Sequence, residues 1–313
     1  MPELRRIYFN QEPISQKYQT DMTKADMSNI QEYLCDYPEL NKLKKDIQWD
    51  VVWKIIDEIA KKSGIDPKDL NKLYPNSIVG LKDFQLDKID DDPLLGVYLP
   101  KLNAIGIDFD KIKDNAKDTK VNEKLIAIMT IFHELVHSVA IVTLDSKEFQ
   151  YGNANIVNQS VQTGYHSTEK VVDFEKGKTV FKKYTDRFFA VNEAITEEMA
   201  FELFKEYAQR TGDISKLDID EFTKNIHRSD KFDLNFAIKC LKKMCDIVGI
   251  KAGVQGDVVW KGFVRGVFYD KTLEKSDVKK WFSDAFSPGF LEELAEIKIS
   301  DDFAILMDKY KIV

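Results

Sequence analysis

Cysteine and histidine are scarce in this chain of 313 residues, with three of the first and four of the second. Cys35, Cys240 and Cys245 are an odd number and show neither a metal-site nor a redox-motif spacing. Cys240 and Cys245 lie five apart in a helical pattern, so they point to different faces. A disulfide framework is therefore excluded, and buried free thiols in a reducing compartment are expected. Long hydrophobic runs are also missing. Segments such as Leu125 to Phe132 fall well short of what a bilayer requires, so no membrane span is expected. The opening Met1 to Arg6 leads into polar sequence without the apolar stretch of a secretory signal. These features predict a cytoplasmic protein, with export by a route lacking a Sec signal as the alternative. Positive charge is in deficit as well: 46 Lys and Arg face 53 Asp and Glu, for a net charge of −7. With no basic stripe interleaved with aromatics, nucleic acid is not an expected partner. What the chain does have is 43% hydrophobic residues, including 20 Phe, 12 Tyr and 4 Trp. That is enough for one large globular domain or two modest ones, and it excludes disorder over most of the length.

The hydrophobic period changes along the chain. Residues 1–93 read as helical pieces with polar breaks, the best being Gln48 to Lys62, closed by Gly64. The run Asp90-Asp91-Asp92-Pro93 marks a seam. It lacks the glycine and spaced carboxylates of a calcium loop, as does Asp108-Phe109-Asp110. From Leu95 to Leu99 and Ala104 to Phe109 the pattern is that of a hairpin turning at Pro100 to Asn103. A long helix is expected from about Glu123 to Leu144, and extended structure between Tyr151 and Arg187. Within it, Val171 to Phe174 and Thr179 to Tyr184 form a second hairpin candidate. Helices then follow at Asn192 to Gln209, stopped by Gly212, at Asp218 to Ile226 and at Asp233 to Val248. Ser287-Pro288 has the form of an N-cap and first helical residue. This order predicts an α+β fold in three segments. They are a helical accessory region (1–93), a strand-bearing lobe (94–189) and a helical lobe (190–313).

The chemistry gathers at His133-Glu134-Leu135-Val136-His137. Residues four apart share a helix face, so His133 and His137 can reach one ion, and neutral imidazole suits zinc. Glu134 can lean over the same ion and take a proton from a water polarised by it. In a chain with four histidines a chance match to this frame is on the order of one in a few hundred. Leu125, Ile126, Ile128, Met129, Ile131, Phe132, Leu135, Val136, Val139, Ile141 and Val142 make the segment apolar nearly all round, which predicts a buried helix. Two imidazoles and a carboxylate there need partners, and a metal supplies them at once.

A catalytic zinc takes a third protein ligand and keeps one position open. No further histidine follows in frame, but Glu193 and Glu197 stand four apart in Asn192-Glu193-Ala194-Ile195-Thr196-Glu197. One can ligate while the other takes the remaining N–H of a ligand histidine. The two segments together resemble the gluzincin, or thermolysin-like, zinc metallopeptidases, over roughly Gly96 to Gln209. The resemblance implies a two-lobed fold with a small mixed sheet beside the active-site helix and a mostly helical C-terminal lobe. It implies one catalytic Zn2+ held by His133, His137 and Glu193, with Glu134 as general base. Glu197 would orient a ligand histidine, with Asn192 assisting. The strands from Gly96 to Phe109 would border the cleft, the outer one pairing with an extended peptide or protein substrate. Glu193 follows His137 at a longer interval than in thermolysin itself, with the second hairpin inserted between. Tyr165, His166, Tyr184 and His227 are the candidates by residue type for stabilising the oxyanion. The expected function is hydrolysis of peptide bonds. The alternative is a catalytically silent metal-binding or toxin-associated protein that recognises a partner, against which an intact Glu134 argues.

Overall fold

The computed structural model describes residues 8–9, 12–13, 30–84, 95–100, 102–151, 154–175, 178–225, 234–268 and 277–312. In chain order the strands are β1 (Tyr8–Phe9), β2 (Glu12–Pro13), β3 (Leu34–Cys35), β4 (Ile78–Leu81), β5 (Gly96–Leu99), β6 (Ala104–Ile107), β7 (Val142–Tyr151), β8 (Ala154–Thr163), β9 (His166–Glu175) and β10 (Lys178–Arg187). The helices are α1 (Pro38–Asp46), α2 (Trp49–Lys62), α3 (Phe109–Thr119), α4 (Glu123–Val139), α5 (Phe189–Thr211), α6 (Lys216–Asn225), α7 (Leu234–Ala252), α8 (Gly256–Phe268), α9 (Asp277–Ala285), α10 (Phe290–Ala295) and α11 (Ser300–Lys309). The fold is α+β. No helix among the described residues is long and apolar enough to cross a membrane.

Two compact units divide the chain. The first draws chiefly on Ser15–Val139 and Thr196–Asp230, the second on Arg6–Ile14, Ala140–Ile195 and Lys231–Val313. Each is assembled from segments far apart in sequence, so neither coincides with the blocks 1–93, 94–189 and 190–313. The division falls inside the unbroken helix α5.

In the first unit the sheet order is β3-β4-β6-β5. β4 and β6 run parallel, while β5 folds back on β6 as the expected hairpin, with Gly96 opposite Ile107 and Leu99 opposite Ala104. Asn103 makes the turn possible by adopting a left-handed conformation (φ +50°), which asparagine tolerates better than most residues. Helix α2 buries Val52, Ile55, Ile56, Ile59 and Ala60, the stripe expected from its period, and Gly64 (φ +76°) follows its end. α4 is buried along nearly its whole length, from Leu125 to Val139. From α5, Tyr207 meets Phe132 of α4 edge-on with ring centroids 5.3 Å apart and accepts the Gln48 N–H at 3.1 Å.

The second unit holds a sheet of order β10-β9-β8-β7-β1-β2. It is an antiparallel meander from β7 to β10, to which β1 adds in parallel against Thr143 and Leu144. Helices α7 to α11 pack an aromatic core in which Phe263, Phe282 and Phe290 are fully buried. Cys240 and Cys245 are free and buried, Cys35 free and half-buried.

Three sequence expectations shift. The helix expected to reach Leu144 stops at Val139, because the Ile141 N–H goes to Val267 O and its carbonyl accepts from Gly164, which starts β7 instead. The second hairpin is present with Lys178 opposite Glu175, but its strands run the full ten residues of β9 and β10, and β7 and β8 precede it. Ser287-Pro288 does not cap a helix. α10 begins at Phe290 behind Gly289, and the Ser287 hydroxyl pairs with the Tyr310 hydroxyl at 3.0 Å. The Asp90–Asp92 seam lies outside the described residues.

Candidate metal centre

Helix α4 starts at a local cap, with Asn122 Oδ1 accepting the Lys124 N–H at 2.8 Å. Its apolar sides are locked by Ile131, Phe132 and Leu135, each fully buried. The remaining face carries His133, Glu134 and His137. The two histidine Nε2 atoms stand 3.1 Å apart, with ring planes at 70°. A tetrahedral ion bound at 2.0–2.1 Å holds two imidazole nitrogens about 3.3 Å apart, so this pair is already at ligand spacing.

The other nitrogen of His133 is spoken for. Its Nδ1 lies 2.8 Å from Glu197 Oε2, and both side chains are only 14% exposed. The carboxylate accepts the Nδ1 proton, which leaves a lone pair on Nε2, facing His137. Without an ion, that lone pair can accept a proton carried by His137 Nε2; an ion takes the place of that proton. Glu193, one turn before Glu197 on α5, completes the group: one ligand atom from each of His133, His137 and Glu193 lies within 4.8 Å of the others. The three can hold a metal ion. The donor set of two imidazoles and one carboxylate fits zinc with a position to spare. Glu134 is buried between the histidines in sequence, and its Cγ sits under strand β5. A Cβ placed on Gly96 would come within 2.6 Å of Thr130 Cγ2 and 3.1 Å of Glu134 Cγ, so the strand crosses this helix only where it has no side chain.

The other residues singled out from the sequence are placed differently. Asn192 is buried, and its Oδ1 accepts the Tyr165 N–H at 3.0 Å, so it fastens the β8–β9 turn to the first turn of α5. Tyr165 is fully buried and donates its hydroxyl to Phe263 O at 2.9 Å, and burial raises its pKa well above the tyrosine range. It is a core tether with its proton already committed. His166 pairs through Nε2 with Asp186, on which Lys298 also converges. Burial pushes the Asp186 carboxyl up, but the His166 hydrogen bond and charge, with Lys298, outweigh it and hold the group below the usual carboxylate range. The side chain of Tyr184 and all of His227 lie outside the described residues.

Searched against protein-family models, curated proteins and solved structures, the chain matches none.

The structure adds residues that the sequence patterns had not singled out. Asn71 and Asn103 exchange side-chain hydrogen bonds, Nδ2 to Oδ1 at 2.7 Å and 3.2 Å. Asn71 Nδ2 also donates to the carbonyl of Ser138, next to His137, at 3.0 Å. The Tyr98 hydroxyl on β5 donates to Asn103 Oδ1 at 3.1 Å. An asparagine in the Pro100–Asn103 turn is a legible signal for a left-handed residue. Nothing local distinguishes Asn71.

Proposed function

We propose that the protein is a zinc-dependent endopeptidase of the gluzincin kind, with a two-lobed, thermolysin-like arrangement. The observation that carries this reading is the convergence of the two Nε2 atoms at 3.1 Å with the His133 tautomer set by Glu197. A pair of surface histidines has no reason to be oriented by a carboxylate so that the lone-pair nitrogen of one ring faces Nε2 of the other. His133, His137 and Glu193 would hold the ion. When bound, zinc supplies Lewis acidity toward water and toward a peptide carbonyl.

The chain's own groups do the rest. Glu134 accepts the proton of the attacking water and returns it to the departing amine, the work of a general base turned acid. Its burial beneath Gly96 keeps bulk water from that carboxylate. Glu197 holds the His133 ring in place throughout. The substrate backbone lies along β5, the outermost strand of its sheet among the described residues. The Leu95 carbonyl accepts from Asp108 on the β6 side. By alternation the main-chain groups of Gly96 and Tyr98 therefore face the open side, where an extended peptide can pair with them.

The test is metal content by mass spectrometry, run with Glu193→Ala and Glu134→Gln beside the wild type. Near-stoichiometric zinc in the wild type, a large loss in Glu193→Ala, and zinc retained with peptide cleavage abolished in Glu134→Gln is the expected result. Stoichiometric zinc with no cleavage of any proteome-derived peptide would favour a silent metal-bearing binding protein. Wild-type protein that takes up no zinc on reconstitution would end the peptidase reading.

A further inference from the structure

Helix α4 ends two residues beyond His137, at Val139, and the last carbonyls of a helix have no partner within it. One of them, Ser138 O, is taken by the Asn71 side chain. The same amide is paired in both directions with Asn103, which is 4% exposed and sits at the turn of the β5–β6 hairpin. Asn103 in turn receives the hydroxyl of Tyr98, on strand β5 itself. A continuous chain of hydrogen bonds therefore runs from the end of the histidine-bearing helix, through two side-chain amides, to the outermost strand of this sheet among the described residues. Both protons of the Asn71 amide are used, one on each structure it joins. All four residues belong to the first unit.

The opposite end of the same strand meets the same helix at Gly96, with only hydrogen between the strand backbone and Thr130 and Glu134. β5 is thus set against α4 at two points, one by contact and one by hydrogen bonds. A four-residue strand that pairs with β6 alone among the described residues would otherwise be free to lift or slide by fractions of an ångström. An error of about 1 Å between a reacting group and its substrate can cost 100-fold in rate.

From this we infer that Asn71, Asn103 and Tyr98 are positioning residues: they register the edge of β5 against Glu134 and His137, so that a peptide paired to the strand presents its carbonyl at the metal site. The inference rests on the peptidase reading. It concerns the strand's alignment with the site, and the metal ligands themselves are untouched by it.

Two probes separate the possibilities on zinc-loaded full-length protein. Acetohydroxamate engages only a metal ion, whereas a tetrapeptide hydroxamate also lies along the strand. Tyr98→Phe removes one hydroxyl and keeps the ring, so it leaves the fold intact. Asn71→Ala breaks both ends of the clamp. Each variant is expected to bind the tetrapeptide hydroxamate about tenfold more weakly, the equivalent of one or two ordinary hydrogen bonds. Acetohydroxamate affinity and zinc content should stay within about twofold of wild type, a difference of no more than a few tenths of a kcal/mol. A merely structural role would weaken both probes together or neither, and either pattern overturns the proposal. Wild type that binds acetohydroxamate but holds the tetrapeptide form no tighter would remove strand docking while leaving the metal site standing. Wild type that binds neither would remove the peptidase reading and the inference with it.

Discussion

Glu197 accepts a hydrogen bond from His133 Nδ1 at 2.8 Å, and that one bond decides which nitrogen of the ring is left for an ion. The carboxylate stands one turn beyond Glu193 on α5, so one helix carries both a residue that can ligate an ion and the group that orients the His133 ring.

Removing that orienting group should cost affinity without removing a ligand. Glu197→Ala is expected to weaken zinc binding by about 10–100-fold, the usual loss when a partner of a ligating histidine is deleted. Competition with a chromophoric chelator reads the change directly. An affinity equal to wild type would mean the His133 ring is held by its packing alone.

Gly96 is the second sensitive point. Gly96→Ala drives a methyl group into Thr130 Cγ2 and Glu134 Cγ. Overpacking of this kind costs about 1–3 kcal/mol, so the melting temperature should fall by several degrees. On the peptidase reading, peptide cleavage should drop further than the loss of folded protein explains, with zinc content unchanged, because the displaced group is the proposed base. Thermal melts, metal analysis and turnover on the same preparation check this.

Thr196 offers a control on the same helix. It is 1% exposed, and its hydroxyl makes no hydrogen bond among the described residues. Thr196→Val removes a buried polar atom at nearly constant shape, so stability should hold or rise by up to about 1 kcal/mol. Denaturant unfolding measures it, and zinc affinity should not move.

Asp186 predicts an acid limb. Its pKa is lower in the folded protein than in the unfolded chain, since His166 and Lys298 outweigh burial. The stabilisation this provides is complete above the ordinary aspartate value of about 3.9 and is lost as pH falls through the lower folded value. The wild type should therefore lose melting temperature more steeply than Asp186→Asn below about pH 4. Melts across that range test the sign as well as the size.

The parts of this architecture legible in the sequence are those set by local geometry. Two histidines four apart on a helix must share a face, and short apolar runs turning at Pro100 to Asn103 form a hairpin from neighbouring residues alone. The parts that escaped were decided by distant partners. α4 gives way to β7 because Val267 and Gly164 claim the backbone of Ile141, which no window around Ile141 contains. The β-branched run at Ile141 to Thr143 suits either structure, so the helical period alone runs on past Val139. Asn192 stands beside Glu193 in sequence, and the use of its side-chain oxygen by the turn at Tyr165 is set by a partner 27 residues away. The Asn71–Asn103 pair spans 32 residues, and its members become informative only when the hairpin lies over the end of α4.

The parallel pairing of β1 with β7 has a consequence for how the protein is made. Tyr8 leaves the ribosome about 135 residues ahead of Thr143, its partner across the sheet. At ordinary elongation rates that is a wait of roughly 7–27 s, during which the first strand can pair with β2 but not with the meander. The meander from β7 to β10 can form from neighbouring residues as it emerges, but its outer edge closes only when a segment synthesised long before is captured. Until then the nascent chain carries an open strand edge on β7, an invitation to chaperones and to wrong partners alike.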